Sequence, residues 1–296
     1  MRSVGLIVNP YASGVDERKL ERVVAALERV GDLRLERTVR PDHASELASE
    51  LAASVEAVVV YSGDGGFNEV LNGLAADVPV GFVPGGAANV LPRALGLPRD
   101  PVRAAERLAD SLKQDRTRRI SLGRVNGRRF AFASGVGFDA ELIRRIEQKG
   151  RSEAGRRSGS LYAVWTAGRM LAERRGRIAP ALEIEGLGRA TFVLVANTDP
   201  YTYVGPLPLH ACPTARFELG LDLAAPVSVS SRSIPRFLAF ALSGRGRPRH
   251  VLGAHDLDRI EVVCDRPLPL QADGEDLGDV RRAVFESERA AVTVYI

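Results

Sequence analysis

The sequence predicts a two-part chain: an α/β domain with a doubly wound sheet over residues 1–120, then a mainly antiparallel β-sandwich with helical insertions over residues 121–296, whose last strand packs back toward the first domain. Three observations carry this. Up to about residue 117, short apolar or β-branched runs alternate with segments of helical periodicity, the pattern of a parallel sheet covered on both faces. Beyond that point, short strand patterns bounded by turn residues recur, with two helical interruptions. Two runs of the first part end in glycine turns, Ser62-Gly63-Asp64-Gly65-Gly66 and Pro84-Gly85-Gly86-Ala87-Ala88-Asn89. Ligands of open α/β sheets sit at such carboxyl ends of strands.

Val4 to Val8 reads as a first buried strand, and Asn9-Pro10-Tyr11-Ala12-Ser13-Gly14 as the turn after it. Asp16 caps a helix carrying Leu20, Val23, Val24, Leu27 and Val30 at helical spacing. Leu33 and Leu35 alternate with charge in a half-exposed strand ending near Thr38, and Asp42 caps a helix through Leu47 and Leu51. The central strand, Val58 to Tyr61, leads through its glycine turn into a helix with Val70, Leu71 and Leu74 on one face. Val80 to Val83 is a further strand, and a short helix runs to Leu95. Asp100-Pro101 opens another helix, with proline in the favoured first turn.

In the second part, Ile120 to Val125, Asn126-Gly127 and Phe130 to Ala133 form a predicted hairpin with a tight turn. Strands are predicted at Leu182–Ile184, Phe192–Val195, Phe217–Leu223, Ile260–Cys264, Leu268–Ala272, Ala283–Glu286 and Val292–Ile296. The helical insertions are Glu141 to Arg177 and Ile234 to Leu242, both rich in or followed by arginine. Asp199 to Pro206 reads as a plain surface loop.

The 296 residues carry a formal net charge of +4, compatible with an anionic membrane surface or with nucleotides. Only three lysines occur, so arginine supplies nearly all the positive charge. Two cysteines, Cys212 and Cys264, without a C-x-x-C pair, predict neither a metal site nor a disulfide framework. The four histidines have no ligand spacing. No apolar run is long enough for a bilayer-spanning helix and the start is too short for a signal sequence, so a cytoplasmic protein is expected. There is no G-x-x-x-x-G-K-[ST] and no G-x-G-x-x-G after the first strand, which excludes a P-loop and argues against a dinucleotide fingerprint.

A strand, a glycine turn and a helix form an architecture for phosphate. Glycine admits an anion close to the backbone, and the helix start offers unpaired N–H groups and a positive dipole end. An aspartate inside such a turn, Asp64, suits a divalent metal riding with the phosphates or the orienting of a substrate hydroxyl. An ordinary βα turn with a capping aspartate is the competing reading. The turn has company: Asn9-Pro10…Ser13-Gly14, Asn68-Glu69 directly after the glycines, Gly85-Gly86 with Asn89, and far away Asp273-Gly274-Glu275.

Together these motifs resemble the diacylglycerol kinase catalytic domain superfamily, which includes bacterial diacylglycerol kinases and sphingosine kinases. The resemblance spans nearly the whole chain, and Asn68-Glu69 separates it from NAD kinases, which share a related fold. It implies an N-terminal domain like that of NAD kinase and phosphofructokinase, a lipid-binding β-sandwich, and ATP bound between them. It implies a lipid kinase of phospholipid biosynthesis that phosphorylates a diacylglycerol-like or sphingoid-like hydroxyl with ATP and Mg2+. Carried over by residue, Asn9, Pro10, Ser13 and Gly14 would hold nucleotide phosphate, and Thr38 would contact the nucleotide. Gly63, Asp64, Gly65 and Gly66 would line the triphosphate, with Asp64 catalytic and metal-binding, braced by Asn68 and Glu69. Gly85, Gly86, Ala87 and Asn89 would form the second phosphate loop. Glu275 would be the general base, with Asp273 beside it, and Gly135 to Asp139 a loop opening the second domain.

The chain departs from the pattern. Its first motif holds one extra residue, Gly66 stands where bacterial members usually carry threonine, and Ala87 where threonine or serine is common. Only Glu218 is acidic in the segment where some members bind a structural Mg2+, so no such site is expected. The implied partners are ATP, a lipid and, transiently, an anionic membrane surface at which the protein is peripheral. Nucleic acid is not expected, and a homodimer is left open. The rivals are a soluble NAD kinase-like enzyme and a non-catalytic member that binds lipid or nucleotide.

Overall fold

The computed structural model describes residues 2–74, 77–152 and 160–296. The chain divides into two compact units, one of residues 1–121 with 290–296 and one of residues 122–289.

In the first unit, β1 (Arg2–Val8), α1 (Glu17–Glu28), β2 (Gly31–Arg37), α2 (His43–Ala52), β3 (Ala57–Ser62), α3 (Asp64–Gly73), β4 (Val80–Pro84), α4 (Val90–Ala94) and α5 (Pro101–Gln114) follow one another. The strands β2, β1, β3 and β4 pair in that order, all parallel. All six residues of β3 are buried, as expected of an inner strand of a parallel sheet covered on both faces. The edge strand β2 instead alternates. Beyond β4, Val294 pairs in parallel with Val80, so the last residues of the chain extend this sheet. The Arg2 guanidinium donates to the Tyr295 hydroxyl at 3.0 Å.

Helix starts follow local chemistry. Asp16 accepts from the Lys19 N–H and Asp100 from the Arg103 N–H, each at 2.9 Å. Asp42 differs from expectation. It has a left-handed backbone (φ 61°) and makes no capping bond. The Ala44 N–H of α2 is met instead by Glu69 Oε2 of α3, at 3.2 Å.

The second unit is mainly antiparallel. Its elements are β5 (Thr117–Val125, beginning in the first unit), β6 (Arg128–Phe130), β7 (Ala133–Val136), α6 (Phe138–Ser152), α7 (Ser160–Glu173), β8 (Leu182–Ile184), β9 (Gly188–Ala190), β10 (Val193–Ala196), β11 (Thr202–Val204), β12 (Leu207–Leu209), β13 (Leu221–Pro226), α8 (Ile234–Ser243), β14 (Val251–Leu257), β15 (Arg259–Ala272) and β16 (Glu275–Tyr295, ending in the first unit). The order β14-β13-β10-β7-β15-β16 is antiparallel at every step. Its core includes Val136, Val193, Val195, Leu223, Val262 and Phe285. Among the described residues no helix is long and apolar enough to cross a membrane.

The two strands expected at 260–264 and 268–272 are one, β15, with its register shifted between Val263 and Leu268. Pro267 lies in that interval and has no N–H for the ladder. The strand expected at Phe217–Leu223 starts only at Leu221, because a turn bond from the Leu219 N–H to the Arg216 carbonyl occupies the segment before it. The stretch read as a plain loop, 199–206, carries β11 and is anchored inward through Tyr201.

Candidate active site

Three strand ends of the first unit meet. The Asn9 N–H bonds the Tyr61 carbonyl at 3.0 Å, the Gly14 N–H the Gly85 carbonyl at 2.7 Å, and the Gly85 N–H the Ser62 carbonyl at 2.6 Å. The turns 9–14, 62–66 and 84–89 are thus stitched together by main-chain bonds. Their glycines allow the approach: a Cβ on Gly86 would lie 2.7 Å from the Gly63 Cα, and one on Gly14 3.0 Å from the Gly85 carbonyl oxygen. Thr38, buried just past β2, donates its N–H to the Val8 carbonyl at 2.9 Å.

Most polar side chains here have a defined task. Asn9 Oδ1 accepts the Tyr11 N–H at 2.9 Å and shapes the first turn, in which Pro10 and Ser13 are exposed. The buried Tyr61 hydroxyl donates to the Gly14 carbonyl at 3.3 Å, and its burial, with Asp16 and Asp100 nearby, pushes its pKa up to about 12. Asp64 stands in the first turn of α3, buried, with Oδ1 accepting the Leu91 N–H of α4 at 3.2 Å. Asn89, left-handed at φ 50°, closes the third turn on itself: Oδ1 takes the Gly86 N–H at 2.8 Å and Nδ2 gives to the Gly86 carbonyl at 2.7 Å. Ala87 is exposed at its tip. Asn68 is buried and accepts from Asn72 on the next turn of the helix. Glu69, expected to brace the glycine turn, reaches α2.

Ser62 carries a signal that sequence reasoning missed. Its Oγ is buried and, among the described residues, has no hydrogen-bond partner. A Cβ on Gly66 would sit 2.2 Å from that oxygen and 2.8 Å from the Ser62 Cβ. Ser62 thus occupies the space that a side chain at position 66 would need.

In the second unit, two tight hairpins carry the other motif. Asn126-Gly127 and Asp273-Gly274 have φ of 47°, 92°, 49° and 79°, positive at both central residues as such turns require. Arg128 and Glu275 are the first residues after the two turns, and Arg128 Nη2 donates to Glu275 Oε2 at 2.5 Å. Asp273 is buried, and its carboxylate accepts three main-chain N–H groups, from Ala131 at 2.6 Å, Phe132 at 3.0 Å and Ala133 at 3.1 Å. It holds the Asp-Gly-Glu turn onto the strand connection before β7.

Behind this turn, Asp139 Oδ2, at the start of α6, accepts from the Tyr201 hydroxyl at 2.6 Å and Gln271 Nε2 at 2.8 Å. Gln271 Oε1 accepts the Gly274 N–H at 3.0 Å. Burial pushes the Asp139 carboxyl up, and the bonds from Tyr201 and Gln271 oppose that. No spacing in the sequence links these residues. Gln271 alone had a local sign, two positions before the Asp-Gly-Glu motif. The same unit holds a cavity of about 490 Å³ lined by Cys212, Leu223, Phe240, Ala254, Arg247 and His255 among others.

Residues 3–125 match the family model described as the diacylglycerol kinase catalytic domain. This part of the chain is thus similar to the diacylglycerol kinase catalytic domain. A diacylglycerol kinase of Bacillus subtilis is 31% identical over 155 residues, half of either chain. A protein of Pseudomonas aeruginosa described as a probable YegS-like lipid kinase is 25% identical over 296 residues, covering 98% of this chain and 93% of its own. Among solved structures, a diacylglycerol kinase from Bacillus anthracis superposes with a TM-score of 0.74 at 21% identity, over 100% of this chain and 97% of its own. An NAD kinase from Archaeoglobus fulgidus, solved with ATP, gives 0.54 at 14% identity, over 99% and 93%. Both superpositions speak to the fold: a parallel α/β region followed by a mainly antiparallel one. The match to that model covers the three stitched turns and ends before the Asp-Gly-Glu hairpin.

Proposed function

We propose that the chain is an ATP-dependent lipid kinase that moves the γ-phosphoryl group of ATP onto a hydroxyl of a diacylglycerol-like or sphingoid-like lipid. The observation that carries the reading is the meeting of three glycine-bearing turns at the carboxyl ends of β1, β3 and β4, in a segment that matches the diacylglycerol kinase model. The first N–H groups of α3, at Gly65 and Gly66, lie at its positive end, so they suit phosphate oxygens. The turn of Gly85 to Asn89 adds further main-chain donors, and Thr38 borders the nucleotide. Phosphoryl transfer asks for positioning, charge stabilisation and a proton acceptor rather than covalent chemistry. Glu275 has one carboxylate oxygen, Oε2, on Arg128. That guanidinium orients it and leaves Oε1 to take the proton of the lipid hydroxyl.

Mg2+ fits the residues present. Among the described residues no group of three or more His, Cys, Asp or Glu side chains is placed to cage a cation. Mg2+ beside a nucleotide is held by one or two carboxylates, with phosphates and water as its other ligands. Asp64, a buried carboxylate in the phosphate turn, suits that part. Bound there, the ion would draw charge from the transferring phosphoryl group.

The test is transfer of labelled γ-phosphate from ATP and Mg2+ into an extracted lipid pool, comparing wild type with Glu275→Gln. Labelled lipid that disappears in the variant supports the proposal, and its mobility identifies the acceptor class. A second reading, a member that binds without turnover, draws on the pairing of Glu275 with Arg128. ATP binding with no labelled lipid, and none on NAD, would favour it.

A further inference from the structure

Helix α8 presents apolar residues where a surface helix is ordinarily polar. Pro235, Leu238, Ala239 and Leu242 are all exposed and follow i, i+3, i+4, i+7 spacing, which puts them on one face. Leu238 is 56% exposed and Leu242 47%. The opposite face is anchored: Phe240 is buried, Phe237 packs on the core around Cys212, and the Ala241 carbonyl accepts the His210 N–H at 2.7 Å. The outer leucines are therefore not a face waiting for the rest of its own unit.

The charge around this face is one-sided. Between Asp222 and Asp256 there is no acidic residue, and there are five arginines: Arg232, Arg236, Arg245, Arg247 and Arg249. All five are exposed. The turn after α7 adds two more exposed arginines, Arg175 and Arg177. It adjoins the start of α8: Ile178 and Val229 bond each other's main chain at 3.0 and 3.3 Å, and a Cβ on Gly176 would touch the Ser231 hydroxyl. Many arginines elsewhere in the unit are matched, as Arg144 is by Asp276 and Asp279, and Arg289 by Asp256 and Asp258. Seven arginines with no acidic partner among the described residues, bordering an apolar helical face, have the chemistry of a surface that inserts its side chains among acyl chains and sets its cations among phosphates.

We propose that α8 and its flanking arginines dock this protein on a bilayer surface carrying anionic phospholipid, with Leu238 and Leu242 entering the acyl boundary. A second copy of the chain would bury the leucines but would bring a like-charged surface against this one. A polyanion such as nucleic acid would satisfy the arginines and leave the leucines exposed. The proposal rests on the lipid-kinase reading for its biological sense and not for its physics, so docking is measured without ATP.

The experiment is co-sedimentation of the full chain with vesicles of phosphatidylcholine, alone or with about a third phosphatidylglycerol. Wild type is compared with Leu238→Ser/Leu242→Ser and with Arg232→Gln/Arg236→Gln/Arg245→Gln. All substituted positions are exposed, and circular dichroism checks folding. Wild type should bind the anionic vesicles, more weakly as salt rises, and leave neutral ones in solution. Each arginine near an anionic surface changes partitioning about five-fold, so the triple variant should bind roughly a hundred-fold more weakly. The leucine pair should also lose binding. Kinase assay on detergent-dispersed lipid separates the two ideas: docking variants should keep wild-type turnover there. No wild-type binding to anionic vesicles overturns the proposal. So does binding that ignores the leucines, which would indicate a polyanion site, and so does dimerisation abolished by Leu238→Ser/Leu242→Ser without vesicle binding.

Discussion

Placing a methyl group at position 66 tests whether Ser62 and Gly66 share one space. In Gly66→Ala the new Cβ would lie 2.8 Å from the Ser62 Cβ and 2.2 Å from its Oγ. Rotation of the hydroxyl relieves the second contact but not the first, which is set by the backbones of β3 and α3. Overpacking of this kind costs about 1–3 kcal/mol, and exchanging a helical glycine for alanine returns about 0.5–1 kcal/mol. A net loss of about 1–2 kcal/mol is expected. Ser62→Gly removes both clashing atoms and a buried hydroxyl with no partner. In the double variant, Ser62→Gly/Gly66→Ala, most of the loss should vanish, a coupling of about 1 kcal/mol or more between the positions. Urea unfolding followed by circular dichroism on the four proteins gives the cycle. If Gly66→Ala unfolds with wild type, or if the two effects add, the shared-space argument is wrong.

Three further outcomes are expected. Asp273→Ala leaves three buried main-chain N–H groups without their acceptor, at about 1–3 kcal/mol each before relaxation; it should lower the urea midpoint far more than Asp273→Asn, and equal midpoints would deny the carboxylate its structural task. Asp139 holds its proton to higher pH when folded than when unfolded, because burial pushes it up; its stabilisation is complete at acid pH and is lost as pH rises from about 4 through the folded value. Asp139→Asn cannot titrate, so its urea midpoint should gain on wild type over that interval and run parallel above it; parallel curves throughout would contradict the burial argument. Asp64→Asn keeps an oxygen for the Leu91 N–H but loses the charge, so thermal stability should hold while phosphoryl transfer drops by about a hundred-fold or more; unchanged transfer would remove Asp64 from the chemistry.

What could be read from the sequence was what local pattern encodes. Val58 to Tyr61 announced an inner strand by unbroken β-branched character, Asp16 and Asp100 announced helix starts, and Asn126-Gly127 announced a two-residue hairpin, all of which the structure contains. The glycine turns after Val8, Ser62 and Pro84 were legible as turns at strand ends, and their meeting followed from the parallel sheet. What stayed hidden depends on distance along the chain. Glu275 meets Arg128 across 147 positions and Asp139 meets Tyr201 across 62, and no periodicity reports such pairs. Asp42 shows the converse: a capping residue in the right place is displaced when Glu69 of a neighbouring helix reaches the same amides. The glycine at 66 looked like a loss until the neighbour across the turn, Ser62, was seen to occupy its volume.

The strand that returns to the first unit imposes an order on the protein's synthesis. Arg2 is made before the second unit, and its partner Tyr295 after it. Residues 122–289, which belong wholly to the second unit, are made in between. At about 5–20 residues per second, that interval of 168 residues (289 − 122 + 1) lasts on the order of 10–30 s. Through that time the nascent first sheet has β4 at an open edge, since the strand that pairs with Val80 does not yet exist. The second unit therefore has the opportunity to fold first although its residues are translated later, and closure of the first sheet has to follow its synthesis. A ribosome stalled near residue 289 would hold a chain with every loop of the candidate phosphate site and no finished sheet to carry them.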